Sequence, residues 1–191
     1  DSYPCLVSDT VVRDTIVFST GTNQVSGANV YSGWGNSLCQ TIYTVQELTA
    51  AGLSGGYIRG IRLGYTTNSS YAKELSIYLT ASTSASTYLS TNDMVPLHDS
   101  MLVYGPAAHP LNTSGWQYYD FGENAFFWDG ISNLVLTTFM NQPTGSSHTS
   151  SSFYGYSTDA GVTRTMYRYK DSNPWTVSSS NSGSGGTLTE S

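Results

Sequence analysis

The chain has 191 residues, enough for one domain whose core can hold the fold without a disulfide framework. Apolar residues make up 38% and aromatic residues 13%, which is too rich for a disordered chain, while charged residues fall to 10%, far below the roughly 25% of ordinary soluble domains. The formal net charge is −6, with 7 Lys and Arg scattered along the chain, which argues against a nucleic-acid or anionic-membrane partner; no apolar run reaches the roughly 18–20 residues of a membrane span.

The place of the missing charges is taken by Ser, Thr, Asn, Gly and 15 Tyr. Thr and Tyr suit half-buried strands, and Gly, Asn and Ser suit turns, so composition points to an all-β protein with many loops. A first strand is expected at residues 15–19 (TIVFS), ended by Gly21. A Gly/Asn/Ser-rich loop follows through Tyr31, Trp34 and Asn36, and residues 40–44 (QTIYT) are again β-like.

One helix is expected near residues 45–51. Thr44 and Glu47 have the spacing of a capping box, in which the Thr hydroxyl accepts from a free amide of the first turn and the Glu reaches back. Gly52 ends it. A helix of about two turns is unstable alone, so Val45 and Leu48, three apart, should plug it against a sheet.

Period-two alternation returns after Gly55 and Gly56. Ile61, Leu63 and Tyr65 share one face, opposite Arg62 and Gly64. Leu75, Ile77 and Leu79 share a face opposite Ser76, Tyr78 and Thr80, the signature of a half-buried strand with Tyr78 outward. Further strands are expected at 101–104, at the aromatic-dense 116–121, and at 126–128 before the Asp129-Gly130 turn. The most apolar strand falls at 133–140, followed by 152–156 and 165–170. Eight or nine strands without long helices read as a two-sheet antiparallel β-sandwich of jelly-roll type. It should occupy residues 1–177, with 178–191 a Ser/Gly-rich linker or flexible tail. Cys5 and Cys39 are spaced so that they can pair, tying the N-terminal segment to the body, or can stand as two buried thiols.

The motifs, in their order, resemble a family of exported proteins of Bacteroidetes bacteria over roughly residues 28–174. QTIYTVQELTAAGLSGGYIRGIRLGY looks like that family's strand, short helix, Gly turn and following strand. Residues 95–97 (VPL), MLVYG, Gly115-Trp116 and FFWDGISNLVL look like its aromatic and N-L block, and SFYGYSTDAGVTRTMYRYKD like its next strand pair. The resemblance implies a jelly-roll module like the adhesin domains of gingipain-type proteins, exported to the cell surface or medium. No leader is visible at Asp1; an exported chain would have had it removed. The closing strand of the family is absent at Pro174-Trp175-Thr176-Val177. It could come from the N-terminal segment, from residues 187–189, or from another chain, the last making the protein an assembly subunit through an open sheet edge. Trp116 and Trp128 align with the family's structural block and are expected in packing. The resemblance also makes Thr10, Thr15 and Ser100 O-glycosylation candidates, in Asp-Thr-Val, Asp-Thr-Ile and Asp-Ser-Met. Jelly rolls often hold a structural calcium, for which Asp120, Asp129 and Asn133 could supply oxygens; the rival role for Asp129-Gly130 is an ordinary turn.

Catalytic patterns are poor. Residues 52–56 fit G-x-S-x-G around Ser54, but a nucleophile elbow needs a strand entering and a helix leaving, and here the order is reversed. His98, His109 and His148 lack zinc-site spacing. Of the Glu residues, Glu47 belongs to the cap, and Glu74 and Glu123 sit at strand edges or turns. The expectation is therefore a non-catalytic adhesion or binding module that recognises glycan or protein, with no cofactor beyond that structural calcium. A structural subunit or spacer is the rival, and a secreted hydrolase a distant third. Trp34, Trp175 and the outward Tyr78 are the expected ligand contacts, because rings at loop tips can stack on sugar faces; the alternative for both tryptophans is to cover sheet edges.

Overall fold

The computed structural model describes residues 15–16, 23–26, 36–65, 74–83, 93–108, 115–141, 152–155, 162–170, 176 and 184–188. These are mostly β and paired antiparallel throughout. The strands are β1 (Asn23–Ser26), β2 (Asn36–Tyr43), β3 (Gly56–Ile58), β4 (Gly60–Tyr65), β5 (Glu74–Ser82), β6 (Leu102–Ala108), β7 (Gly115–Asp120), β8 (Phe126–Trp128), β9 (Asn133–Asn141), β10 (Ser152–Gly155), β11 (Thr165–Lys170) and β12 (Ser184–Leu188). Six of them pair in the order β12-β11-β2-β9-β5-β6 and four in the order β1-β10-β4-β7, with β3-β8 a separate pair. Among the described residues no helix is long and apolar enough to cross a membrane.

The helix α1 (Val45–Ala50) follows the local rule. Glu47 N–H donates to the Thr44 hydroxyl, and Thr44 N–H donates to Glu47 Oε2 at 2.7 Å, so both bonds of the capping box form. Leu48 is buried, and Val45 packs against the same core cluster, which plugs the helix as the three-residue spacing requires. Gly52 ends the turn at a φ of +96, a backbone that favours glycine.

The main core lies where β5, β6 and β9 of the six-stranded sheet meet β4 and β7. Leu75, Ile77, Leu79, Val103, Leu134, Leu136 and Met140 join Leu63, Tyr65 and Tyr119 there, with Leu48 and Trp128 at one end. Tyr65 and Tyr119 hydroxyls hydrogen-bond to each other at 2.5 Å, and Tyr104 of β6 meets the Tyr119 ring edge-on at 5.1 Å, linking the two sheets.

The six-stranded sheet is not half-buried. Its second face carries Leu38, Ile42, Tyr78, Val135, Phe139 and Met166, and Met94 and Leu97 from residues 93–98 lie over them. Tyr78 is thus 4% exposed, which corrects the outward position expected from alternation. It does face away from the main core, but a second apolar layer covers it. One polar side chain helps to fasten it. Gln40 is fully buried; its Nε2 donates to the Val95 carbonyl at 2.6 Å and its Oε1 accepts the Val95 N–H at 2.9 Å. One amide thereby satisfies both backbone groups of Val95, as a neighbouring strand would. Replacing Gln40 by Leu keeps similar bulk but orphans both groups, so we expect a loss of about 2 kcal/mol in urea unfolding and faster hydrogen exchange at residues 94–97. A change below about 0.5 kcal/mol would mean that the amide does not fasten the segment.

Other expectations shift in detail. The strand read at 40–44 begins at Asn36 and yields Thr44 to the helix cap; that at 101–104 begins after a 3-10 turn at Asp99–Met101 and runs to Ala108. Thr15 and Ile16 lie outside any strand, and residues 17–19 fall outside the described residues. β1 lies in the stretch expected as loop. β12 lies in the stretch expected as tail, where Gly186 pairs with Tyr167 and Gly185 with Arg168. Glycine composition suggested a linker, but the β11 backbone supplies the ladder that a Gly-rich strand cannot hold by propensity alone.

A candidate binding face on the β3–β4 and β7–β8 ribbon

The strands β3 and β4 run nearly end to end, and so do β8 and β7. Gly56 to Ile58 pair with Trp128 to Phe126, and Gly60 to Tyr65 with Asp120 to Gly115. A 3-10 turn at Gly122–Asn124 takes up the extra residues on the second side, and Phe121 N–H donates to the Arg59 carbonyl at the junction. The result is one long ribbon. Its inner residues, Ile58, Ile61, Leu63, Tyr119 and Phe126, pack on the main core. Period-two alternation then turns Tyr57, Arg62, Trp116, Tyr118 and Phe127 outward.

The outer side chains are exposed to solvent. Tyr57 is 64% exposed, Trp116 50%, Tyr118 55% and Phe127 60%. Tyr57 and Phe127 are directly cross-strand, with ring centroids 5.3 Å apart and an edge-to-face angle of 66°. Tyr118 faces Arg62 across the ladder, with the guanidinium carbon 5.8 Å from the ring centroid, a cation–π geometry. A Cβ at Gly60 would stand 2.5 Å from the Tyr118 hydroxyl and 2.7 Å from its Cε2, so the ring lies across Gly60 where any other residue would displace it. Large exposed rings are uncommon on a soluble surface, and four on one ribbon form an apolar face with a cation among them. Such a face can stack on flat or C–H-rich ligand surfaces.

Trp116 thereby corrects the packing role expected for it, whereas Trp128 is fully buried, its indole N–H donating to the Ser132 carbonyl at 2.9 Å. Of the three expected ligand contacts, Trp34 and Trp175 lie outside the described residues, and Tyr78 has no surface to offer.

The oxygens suggested for calcium accept internal hydrogen bonds. Asp120 Oδ1 accepts from Gly122 N–H, and Asn133 Oδ1 accepts from Val45 N–H, one of the free amides of the α1 first turn. Asp129 Oδ1 accepts from Ile131 and Ser132 N–H, and Oδ2 from the Ser132 hydroxyl at 2.6 Å. The hydroxyl first and then the amides hold the Asp129 carboxyl below its ordinary pKa. Asp129-Gly130 is a turn closed by its own side chain, and among the described residues no group of three or more His, Cys, Asp or Glu side chains gathers.

Cys39 is buried on β2, and Cys5 lies outside the described residues. Thr15 is exposed, Ser100 is exposed in the 3-10 turn, and Thr10 lies outside the described residues. Ser54 is exposed between α1 and β3, with the helix entering and the strand leaving. Gly55 stands where a Cβ would meet the Asp129 and Gly130 backbone at 3.2 Å, so this glycine serves close packing.

No protein-family model, curated protein or solved structure matches this chain.

Proposed function

We propose that the protein is a non-catalytic binding module, a jelly-roll sandwich of an exported surface protein, that recognises glycan or protein ligands through the outer face of the β3–β4 and β7–β8 ribbon. The four exposed rings at Tyr57, Trp116, Tyr118 and Phe127 are the observation that carries this reading. Each would cost less if buried, since apolar area removed from water is worth about 25 cal/mol per Å². Keeping four on the outer side of two adjoining ladders makes sense when a ligand covers them. Trp, Tyr and Arg, the residue types of Trp116, Tyr118 and Arg62, are also those that dominate binding energy at recognition surfaces.

The test is a panel of immobilised glycans and cell-surface extracts, read with the protein, with the Trp116→Ala, Tyr118→Ala double variant and with a Trp34→Ala, Trp175→Ala double variant. Binding should fall about tenfold or more in the first variant, a change near 1.4 kcal/mol, while its unfolding midpoint stays close to that of the parent. Full binding by that variant would remove the face from consideration, and loss confined to the Trp34 and Trp175 variant would move the site to those two tryptophans.

A further inference from the structure

Resting on that proposed binding face, we infer that its ligand is an acidic glycan, a chain of pyranose rings bearing carboxylates. The argument is one of charge placement. The whole chain is acidic, at −6, with few basic residues to distribute. Among the described Lys and Arg residues only Arg59 and Arg62 are exposed, and both lie on this ribbon. The other described cations are occupied or covered: Arg164 pairs with Glu47 at 3.1 Å, Arg168 is buried and Lys170 is half-buried.

The geometry suits carboxylates presented along a chain of rings. Arg62 lies on the outer side of β4, and Arg59 is exposed at the break between β3 and β4. Arg62 is steadied over the Tyr118 ring, so its planar fork is held on the face while its outer edge stays open to a two-point contact with a carboxylate. Trp116 lies beyond Tyr118 on the same side of β7, Tyr57 and Phe127 lie beyond Arg59, and their faces would take the C–H surfaces of the rings. Two exposed acids share the ribbon: Asp120 on the outer side of β7, its Oδ1 turned back onto Gly122 N–H, and Glu123 in the 3-10 turn. An anionic ligand would meet Arg62 among the aromatic rings, with Arg59 exposed at the junction of the ribbon, in a protein whose overall charge otherwise repels it.

The probes are hexamers of galacturonic, mannuronic and glucuronic acid, each beside its neutral methyl ester, titrated by calorimetry into the parent, Arg62→Gln and Trp116→Ala proteins. At least one acidic hexamer should bind. Its ester should bind about tenfold or more weakly, and Arg62→Gln should lose a similar factor for the acid but little for the ester. Trp116→Ala should weaken both. Raising the salt to about 0.5 M should weaken the acid selectively, because exposed charges are screened. Equal affinity for acid and ester, or an Arg62→Gln protein that binds the acid as well as the parent, would overturn the acidic class while leaving the binding face standing. Binding to no glycan, with a dimer in sedimentation that Trp116→Ala dissolves, would overturn both and assign the face to a second copy of this chain.

Discussion

Trp128→Ala should cost about 3–5 kcal/mol of unfolding free energy, the range for truncating a buried aromatic ring. The indole is fully buried in the main core, at the end where α1 meets the ribbon. Truncation opens a cavity there and also orphans the buried Ser132 carbonyl that now accepts the indole N–H. Since natural domains hold only about 5–15 kcal/mol, such a loss brings the protein near its threshold. At this size the midpoint of thermal unfolding should fall by roughly 10 °C, from about 2–4 °C per kcal/mol. Trp128→Phe keeps a six-membered ring in the core, dropping the hydrogen bond and leaving a smaller cavity than alanine does; its loss should be smaller, about 2 kcal/mol. Urea unfolding with an unchanged slope would confirm that both act on the native state. A Trp128→Ala protein within about 1 kcal/mol of the parent would mean that α1 and the ribbon end are not coupled through this ring.

The same contrast between local and distant contacts separates what was legible in the sequence from what was not. Local signals translated directly. Thr44 and Glu47 sit three apart, and both predicted bonds form. Leu75, Ile77 and Leu79 alternate, and all three are buried. Signals that depend on a distant partner did not. Alternation placed Tyr78 on the opposite side of β5 from Ile77 and Leu79, yet nothing local says that residues 93–98 return over it, because the fastening joins Gln40 to Val95 across 55 residues. Gly185 and Gly186 look like a linker until the β11 backbone pairs with them. The exposed aromatic face was hidden by density: in Trp116-Gln117-Tyr118-Tyr119-Asp120-Phe121, aromatic rings fall on both phases of the alternation. The phase was nevertheless marked. Asp120 shares its side with Trp116 and Tyr118, and an exposed acid on that phase identifies the outer face, leaving Tyr119 and Phe121 for the core.

Stability should fall steeply above about pH 10, and the buried Tyr65–Tyr119 pair should be the main cause. Burial comes first in raising the Tyr65 pKa well above its ordinary value of 10.0, with the neighbouring Tyr119 and Tyr104 adding to it. Burial likewise pushes Tyr119 up to about 12, opposed by its hydrogen bond from Tyr65 and assisted by Tyr104. The two hydroxyls share one hydrogen bond, so the first ionisation belongs to the pair. The sign follows from proton counts. Below about pH 10 both states hold both protons, and the contribution is constant. Above it the unfolded chain releases protons that the folded pair retains, so ionisation favours unfolding, by about 1.4 kcal/mol per pH unit for each group. By about pH 12 the pair should have removed roughly 5 kcal/mol, close to the lower end of the total stability of a natural domain. Urea unfolding at intervals between about pH 8 and about pH 11.5, with tyrosinate absorbance recorded alongside, measures the slope. The Tyr65→Phe, Tyr119→Phe protein should lose about 1 kcal/mol at neutral pH with the missing hydrogen bond, and most of the alkaline slope with it. An unaltered slope in that variant would place the alkaline sensitivity elsewhere, with Tyr78, whose pKa is also raised by burial beneath residues 93–98, the next group to replace.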